Sequence, residues 1–373
     1  MSAVNGEIVI HLNAIANNWC ILKSRFTGRN VGAVVKANAY GLGEREVVST
    51  LLDVGCQLFF VSNLSEAISV RGVAPDAAVV VFSGCSEGEE ADFERYRIQP
   101  VLVSHEMLVR WAAYSFNLMP NAYIKVDTGM GRYGLSLDDF HRALSDYDFE
   151  ALGVYTLMSH LASSELPSAA INQQQLALFD QAYTSFCRRV PSGMASLCNS
   201  SAIFNFDAAH FDVARPGFAL YGGNPLPNQI NPMQSVVVVT LPIVQVRDLK
   251  KGDSVGYGGD FNAQHAMQVA TVYGGYADGV LRSGVSSLSL GWGQEMLPIV
   301  GRVSMDSLVV DITHVAPDER PQVGDRLIFI GGMNTLDKVA GACGTIGYEL
   351  LTSLSRRFKR VYVGGHVDSS GGV

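Results

Sequence analysis

The chain has 373 residues, of which 48% are hydrophobic and 17% are charged, and its formal net charge is −8. This length predicts two domains with sizeable cores, and the composition excludes a disordered chain. The acidic balance and the lack of a membrane-spanning apolar run argue against nucleic acid or a membrane as a partner. Six scattered cysteines without a CxxC pair predict reduced thiols, so we expect a cytoplasmic protein without a metal site.

Apolar, strand-like runs alternate with helix-length segments through the first part of the chain. The runs lie at residues 31–35, 58–61, 78–82, 101–103, 122–126, 153–158, 195–198 and 213–214. Eight such units predict an α/β protein with an N-terminal (β/α)8 TIM-type barrel, and a doubly wound open sheet is the alternative. Most polar residues of interest follow the carboxyl ends of these runs, the face where barrel enzymes build their sites.

A Pro- and Asn-rich loop at residues 224–233 marks the predicted domain boundary. We assign residues 1–228 to the barrel and residues 229–373 to a C-terminal mostly-β domain, where short strands alternate with glycine-rich turns. Eight strands already close the barrel, so the early strand within residues 7–12 can join the β domain instead. The Gly/Ser-rich tail at residues 364–373 is expected to fray.

Lys36 is the first chemically informative residue, because it ends the buried run at residues 31–35. Burial at a strand exit lowers the pKa of a lysine and favours the neutral amine that forms a Schiff base with an aldehyde. Further along, Lys125 and Arg132 flank a glycine-rich turn, and His160 ends another run. Each of these segments alone also fits an ordinary structural loop.

Two candidate anion sites follow the last two predicted strands. Ser200 begins a predicted helix, where free N–H groups attract phosphate, although an ordinary helix cap is the alternative. Arg215 supplies a positive charge, and at Gly217 no side chain blocks access to the backbone N–H groups. Neighbouring last strands are the usual phosphate position of (β/α)8 enzymes.

Taken in order, seven segments resemble the bacterial alanine racemase family, and the resemblance runs from residue 12 to about residue 362. They are the lysine segment at residues 32–43, DTGMGR at 127–132, RPGFALYG at 215–222, VGYG at 255–258, GYADG at 275–279, GRVSMD at 301–306 and TIGYE at 345–349. The resemblance implies a fold-type III pyridoxal 5'-phosphate enzyme that works as a homodimer with shared active sites.

The resemblance also implies the roles of individual residues. Lys36 would hold the cofactor covalently and act as one catalytic base, and Tyr257 would be the second base, reaching into the partner subunit's site. Arg132 and Met305 would bind substrate, supported by Lys125 and Asp306. The implied cofactor-binding residues are Lys36, Tyr40, His160, Ser200, Arg215, Gly217, Phe218 and Tyr348.

Racemisation removes a proton from the substrate α-carbon and returns one on the opposite face, so it requires a base on each side. The implied substrate is alanine, with serine as a second candidate, and the implied role is either D-alanine supply for peptidoglycan or alanine catabolism. Two rivals are a fold-type III decarboxylase or aldolase and a non-catalytic pyridoxal phosphate carrier that lacks a second domain. Tyr133 and the pair at residues 273–274 depart from the usual family pattern.

Overall fold

The computed structural model describes residues 5–284 and 287–365. Seven short parallel strands lie side by side in chain order. They are Ala33–Val34, Leu58–Val61, Ala78–Val81, Ile98–Leu102, Ala122–Lys125, Val154–Met158 and Met194–Ser196. An eighth strand, Val213–Ala214, pairs in parallel with Asn30–Val31, which directly precedes the first of the seven.

Backbone hydrogen bonds close these strands into a barrel. The Gly32 N–H donates to Ala214 O at 3.0 Å and the Val34 N–H to Pro216 O at 2.9 Å, so the first strand borders the last. On its other side, the last strand is held by the Arg215 N–H, which donates to Cys198 O at 2.9 Å. The predicted (β/α)8 barrel is therefore confirmed, and the open doubly wound alternative is wrong because an open sheet leaves both edge strands unpaired.

Helices between the strands cover the outside of the barrel. Three of them begin at a side-chain cap, in which Asn63, Ser104 or Ser136 accepts a backbone N–H of the first turn. The helices of this domain are Leu12–Arg25, Glu44–Asp53, Leu64–Val73, Glu90–Arg95, His105–Ala113, Leu137–Asp146, Ala170–Arg189 and Ala202–Asn205, with 3-10 turns at Asp207–Ala209 and Phe218–Tyr221. The residues 36–40 form a separate short turn, described with the site.

The second domain is built on an eight-stranded sheet and a small hairpin, Ser254–Val255 with Phe261–Asn262. The sheet strands are Glu7–His11, Val237–Leu249, Met267–Tyr273, Ser289–Trp292, Glu295–Pro298, Ser307–Asp311, Arg326–Ile330 and Lys359–Val363. Two α-helices, Leu336–Ala342 and Gly347–Ser353, and 3-10 turns at Tyr257–Gly259, Tyr276–Asp278 and Arg282–Gly284 complete this domain. The fold is thus a barrel followed by a mostly-β domain, as expected.

Glu7–His11 lies in the sheet of the second domain, antiparallel to Val237–Leu249 and parallel to Lys359–Val363. Residues 7–11 therefore belong to the second domain, and the chain enters the barrel after them. Val237–Leu249 is one long strand, whereas short strands were expected in this domain. A register irregularity between Ile243 and Gln245 lets it pair with Arg326–Ile330 in its first half and with Met267–Tyr273 in its second.

Among the described residues, no helix is both long and apolar enough to cross a membrane. All six cysteines are free thiols. Residues 366–373 of the tail lie outside the described residues, so its expected fraying stays a prediction.

Candidate active site

The backbone directly after Lys36 turns in the left-handed sense. Ala37, Asn38, Ala39 and Tyr40 have φ angles of 54°, 55°, 52° and 57°. A left-handed helical conformation costs a residue with a side chain about 1–2 kcal/mol, so a run of four is maintained only if its surroundings favour it. The turn carries the Lys36 side chain to the carboxyl end of the barrel.

Two charged residues hold this turn from opposite sides. The Glu66 carboxylate accepts the Ala37 N–H at 2.8 Å and the Ser62 N–H at 2.7 Å. The Arg360 guanidinium, from the last strand of the β domain, donates twice to Gly41 O at 3.0 and 3.1 Å. The sequence analysis missed both residues. Their only sequence signal is the Asn–x–x–Glu spacing at residues 63–66, which indicates a helix N-terminus and not a bond to another strand.

Burial lowers the pKa of the Lys36 amine, and the positive charge of Arg132 lowers it further, while the Glu66 carboxylate partly opposes both effects. The amine lies 5.9 Å from the centre of the Phe82 ring. A lysine in these surroundings has a larger neutral, nucleophilic fraction at physiological pH than an exposed lysine.

Arg215 lies in the barrel core beside Lys36 and His160, and it is buried. Its guanidinium donates to Ser196 Oγ and, at 2.7 Å, to Ser159 O. It also approaches His160 Nδ1 at 3.4 Å. Burial lowers the pKa of Arg215 to about 10, so it remains protonated at neutral pH.

The His160 imidazole is neutral. Burial, followed by the nearby charges of Arg215 and Lys125, lowers its pKa well below the ordinary value. Because a guanidinium can only donate, His160 Nδ1 accepts from it, and the ring proton then resides on Nε2. His160 therefore presents an N–H donor on the side facing away from Arg215.

Behind these residues lies a buried polar network that the sequence analysis also missed. Gln175 is fully buried, and its amide donates to His160 O at 2.9 Å and to Thr128 Oγ1 at 3.2 Å. Thr128 and Ser159 share a hydrogen bond of 2.9 Å, and the Ser159 hydroxyl donates to Val126 O at 2.8 Å. The network fixes the strand ends that carry Lys125, His160 and Arg215.

Lys125 is buried, and its pKa is lowered to about 8 by burial and by the charges of Arg215 and Arg132. Its amine lies 5.7 Å from the centre of the Tyr133 ring, and the Arg132 guanidinium lies 6.0 Å from the same ring. Tyr133, one of the departures from the family pattern, thus contacts both cations. With Lys36 and Arg215, these side chains make the site strongly positive.

A second group of residues forms a small cradle of hydroxyl and N–H groups. The Ser200 hydroxyl accepts the Gly217 N–H at 3.0 Å and the Ala219 N–H at 3.4 Å. The expected helix follows Ser200 closely: its N-cap residue is Ser201, and it begins at Ala202 and has four residues. Ser200 faces the loop at Gly217, where a Cβ atom would lie 2.4 Å from Tyr40 Oη.

Aromatic residues from both domains enclose the cradle. The rings of Phe218 and Tyr348 stack with their centres 4.1 Å apart, and the Tyr40 ring lies 4.6 Å from that of Tyr221. Burial raises the pKa of Tyr40, and it raises that of Tyr348 to about 12, so both hydroxyls are neutral donors. Hydroxyls, backbone N–H groups and nearby cations are the groups that bind a phosphate.

Tyr257, Met305 and Asp306 lie on the surface of the β domain. Tyr257 is 70% exposed and Met305 is 53% exposed. Tyr257 sits between Gly256 and Gly258, whose φ angles of 78° and 79° favour glycine. Within the described residues, no hydrogen bond or aromatic contact joins Tyr257 to Lys36. A single chain therefore gathers Lys36, Tyr40, Lys125, Arg132, His160, Ser200, Arg215, Gly217, Phe218 and Tyr348 into one region, and leaves Tyr257, Met305 and Asp306 outside it.

The described residues contain no group of three or more His, Cys, Asp or Glu side chains able to hold a metal ion. The fold and the site define a class of protein: a barrel enzyme with a β domain, in which a lysine amine of lowered pKa lies on the same barrel face as a cradle of hydroxyl and N–H groups. Residues 10–225 match the family described as alanine racemase, N-terminal domain, and residues 236–362 match alanine racemase, C-terminal domain. The chain belongs to the alanine racemase family.

Similar proteins match this chain over nearly its whole length. Alanine racemase from Acidiphilium cryptum is 40% identical over 356 residues, which cover 95% of this chain and 98% of that protein. The crystal structure of alanine racemase from Bartonella henselae with covalently bound pyridoxal phosphate has a TM-score of 0.91 and 34% identity, covering 96% of this chain and 99% of that one. That of the biosynthetic alanine racemase from Pseudomonas aeruginosa has a TM-score of 0.88 and 33% identity, with the same coverage.

Proposed function

We propose that this protein interconverts L-alanine and D-alanine using pyridoxal 5'-phosphate bound to Lys36, with Tyr257 of a partner subunit as the second base. The observation that carries the proposal is the Lys36 amine, whose pKa is lowered, on the same barrel face as Arg215 and the cradle of Ser200 and Gly217. The match to both alanine racemase domains supports a racemase over the two rivals, since a carrier without a second domain would match only the first.

The residues present fit the cofactor. The hydroxyls of Ser200, Tyr40 and Tyr348 and the N–H groups of residues 217–219 would hold its phosphate, where the missing side chain of Gly217 leaves room. Arg215 would donate a hydrogen bond to the ring nitrogen without giving up its proton. When bound, pyridoxal phosphate supplies the electron sink that stabilises the electron pair left on the α-carbon after its proton is removed.

The chain's own residues move the proton. Lys36 would take or return a proton on one side of the substrate α-carbon, and Tyr257 of the partner would do so on the other. A phenol has a pKa near 10, so it requires a neighbour that stabilises its oxygen when it loses the proton. His160 is suited to this task, because its neutral ring presents an Nε2–H donor away from Arg215.

Substrate recognition would rest on Arg132, whose planar guanidinium suits the carboxylate of an amino acid. Met305 and Asp306 of the partner would line the entrance, and Lys125 would hold Arg132 in place. Tyr40 and Tyr348 restrict the space at the cradle, which favours alanine and leaves serine as a second substrate. In the cytoplasm, both D-alanine supply for peptidoglycan and alanine catabolism fit this activity.

A complementation experiment tests both the two bases and their origin from different subunits. Lys36→Ala and Tyr257→Phe homodimers should each lose racemase activity with added pyridoxal phosphate, measured as D-alanine formed from L-alanine. When the two variants are unfolded together and refolded, about half of the dimers contain one chain of each kind. In each mixed dimer, one of the two sites would have both bases. We therefore expect about a quarter of wild-type activity.

The mixture distinguishes a site shared between two chains from a site within one chain. If Tyr257 acted on Lys36 of its own chain, every site in the mixed dimer would lack one base and no activity would return. Refolded wild-type protein and each variant refolded alone are the controls. A mixture as inactive as its parents would contradict the proposed shared site.

A further inference from the structure

The two surface loops at residues 274–277 and 304–306 form one unit. Their backbones are joined by three hydrogen bonds, from Gly274 N–H to Asp306 O at 2.9 Å, from Tyr276 N–H to Ser304 O at 3.0 Å and from Ala277 N–H to Met305 O at 3.1 Å. A Cβ atom at Gly275 would lie 2.2 Å from Ser304 O, so the loops touch without space for a side chain.

A carboxylate lies buried under this unit. The side chain of Asp278 is 0% exposed, and one of its oxygens accepts the Gly275 N–H at 3.1 Å. A buried carboxylate requires a positive partner, because desolvation otherwise disfavours its charge. That partner comes from a third segment, which follows the helix Gly347–Ser353.

Arg357 supplies the positive charge and joins all three segments. Its Nε and Nη2 atoms each lie 2.9 Å from the buried oxygen Asp278 Oδ1, and its Nη1 donates to Asp306 Oδ1 at 2.8 Å. The two carboxylates, Asp306 first, raise the pKa of Arg357. A planar guanidinium can bind two carboxylates at fixed angles, whereas a lysine ammonium is a single point donor.

We propose that Arg357 is a positioning residue that fixes the loop carrying Met305 and Asp306 for the active site of the partner subunit. The inference rests on the proposed function, in which this loop lines the partner's substrate entrance. Arg357 would act on substrate entry and binding through the loop, not on the chemical step. Its effect should therefore appear in the partner's site and not in the site of its own chain.

The first test is the Arg357→Lys variant, which keeps the charge beside buried Asp278 and loses the bidentate geometry. We expect the KM for alanine to rise about tenfold while kcat stays within about twofold, the pattern of lost uniform binding. Asp306→Ala removes only the second contact and should reproduce the rise in KM. Arg356→Lys, at the neighbouring exposed arginine, is the matched control and should leave both constants unchanged.

The decisive test places Arg357→Lys on one chain of the complemented dimer. In the mixed dimer of Lys36→Ala and Tyr257→Phe, the active site combines Lys36 of the second chain with Tyr257 and Met305 of the first. Arg357→Lys on the Lys36→Ala chain should raise KM about tenfold, and the same substitution on the Tyr257→Phe chain should have no effect.

The outcomes separate the two proposals. If the parent pair complements and both placements change KM equally, or neither does, Arg357 is not a positioning residue for the partner's site. If the parent pair itself fails to complement, the shared-site function fails, and with it the role of Arg357 across the interface. Both mixed dimers contain one Arg357→Lys chain, so a merely structural effect of the substitution would change both equally. Thermal unfolding of the two mixed dimers checks that they are equally folded.

Discussion

The most informative single residues in this site are the basic side chains. Lys36, Lys125 and Arg215 converge within one barrel, and burial lowers the pKa of each below its ordinary value. Positive neighbours lower the pKa of the two lysines further. Such a site is costly when no anion is bound, and it suits a ligand that brings both a phosphate and a carboxylate. The charge that disfavours protonated lysines also keeps His160 neutral and able to donate from Nε2.

Lys125 gives a prediction for the pH dependence of stability. Its pKa is about 8 in the folded protein, below the value of about 10.4 of a lysine in an unfolded chain. Between these two pH values the unfolded chain binds more protons, so this group raises the stability of the folded state as the pH rises. Relative to Lys125→Met, the free energy of unfolding of the wild type should therefore increase between pH 8 and 10 and stay constant below pH 8.

Urea unfolding of the two proteins at several pH values measures this difference. The buffers must be free of carbon dioxide, since a neutral lysine amine reacts with it to form a carbamate. Lys23→Met, at a lysine remote from the cationic cluster, is the matched control. A difference between wild type and Lys125→Met that does not vary with pH would show that the pKa of Lys125 is not lowered.

Among the elements, the left-handed turn after Lys36 depends most on contacts from distant segments. Four residues with side chains adopt a conformation that each disfavours, and Glu66, Arg360 and the buried Tyr40 ring hold them there. The turn is therefore maintained by contacts from the next barrel unit and from the β domain.

Glu66→Gln tests this support. The amide keeps the shape of the side chain but has one acceptor oxygen and no charge, so either Ala37 or Ser62 loses its acceptor. A hydrogen bond to a charged group contributes about 1.5–3 kcal/mol, so we expect the Kd for pyridoxal phosphate to rise at least about tenfold. Absorbance titration measures the affinity, and hydrogen exchange at residues 37–40 should become faster.

The control for that experiment is Glu94→Gln, because Glu94 accepts the backbone N–H of Leu118 at 2.6 Å, outside the site. This substitution removes a carboxylate charge that accepts a backbone N–H elsewhere, and it should leave cofactor affinity and exchange at residues 37–40 unchanged. Equal affinities for wild type and Glu66→Gln would mean that the turn is stable without the carboxylate.

At the scale of the whole molecule, the proposed site is incomplete in one chain. Tyr257 and Met305 are exposed large side chains on the β domain, while the barrel of the same chain supplies the lysine and the cradle. Exposed aromatic and methionine side chains are typical of surfaces that bind a partner. The proposed homodimer with shared sites would bring the two halves together.

A shared site makes activity depend on concentration. Diluting the enzyme below the dissociation constant of the dimer should lower the activity per chain in parallel with the fraction of dimer. Steady-state assays over a dilution series, with mass photometry at the same concentrations, provide the comparison. Full activity per chain in a solution of monomers would contradict the shared site, while a dimer that stays intact requires the series to be extended with mild denaturant.

The sequence by itself determined the barrel and the β domain, and it predicted the residues that we propose carry the chemistry. Periodic apolar runs specify parallel strands, and Lys36 and Arg215 could be found because polar residues at strand ends have few structural reasons to be there. The exception was local: Val237–Leu249 is one long strand, whereas short strands were expected in this domain. Its length depends on pairing partners far along the chain.

Only the tertiary structure decided what supports these residues. Glu66, Gln175 and Arg357 act through bonds to segments that lie 13 to 79 residues away, and no local pattern predicts such partners. The left-handed turn after Lys36 is equally invisible in the sequence, because alanine and asparagine adopt it only under contacts from elsewhere. The physical reason is common to all of them: hydrophobic periodicity is a local property, whereas satisfying a buried charge or a strained backbone depends on groups that only folding brings together.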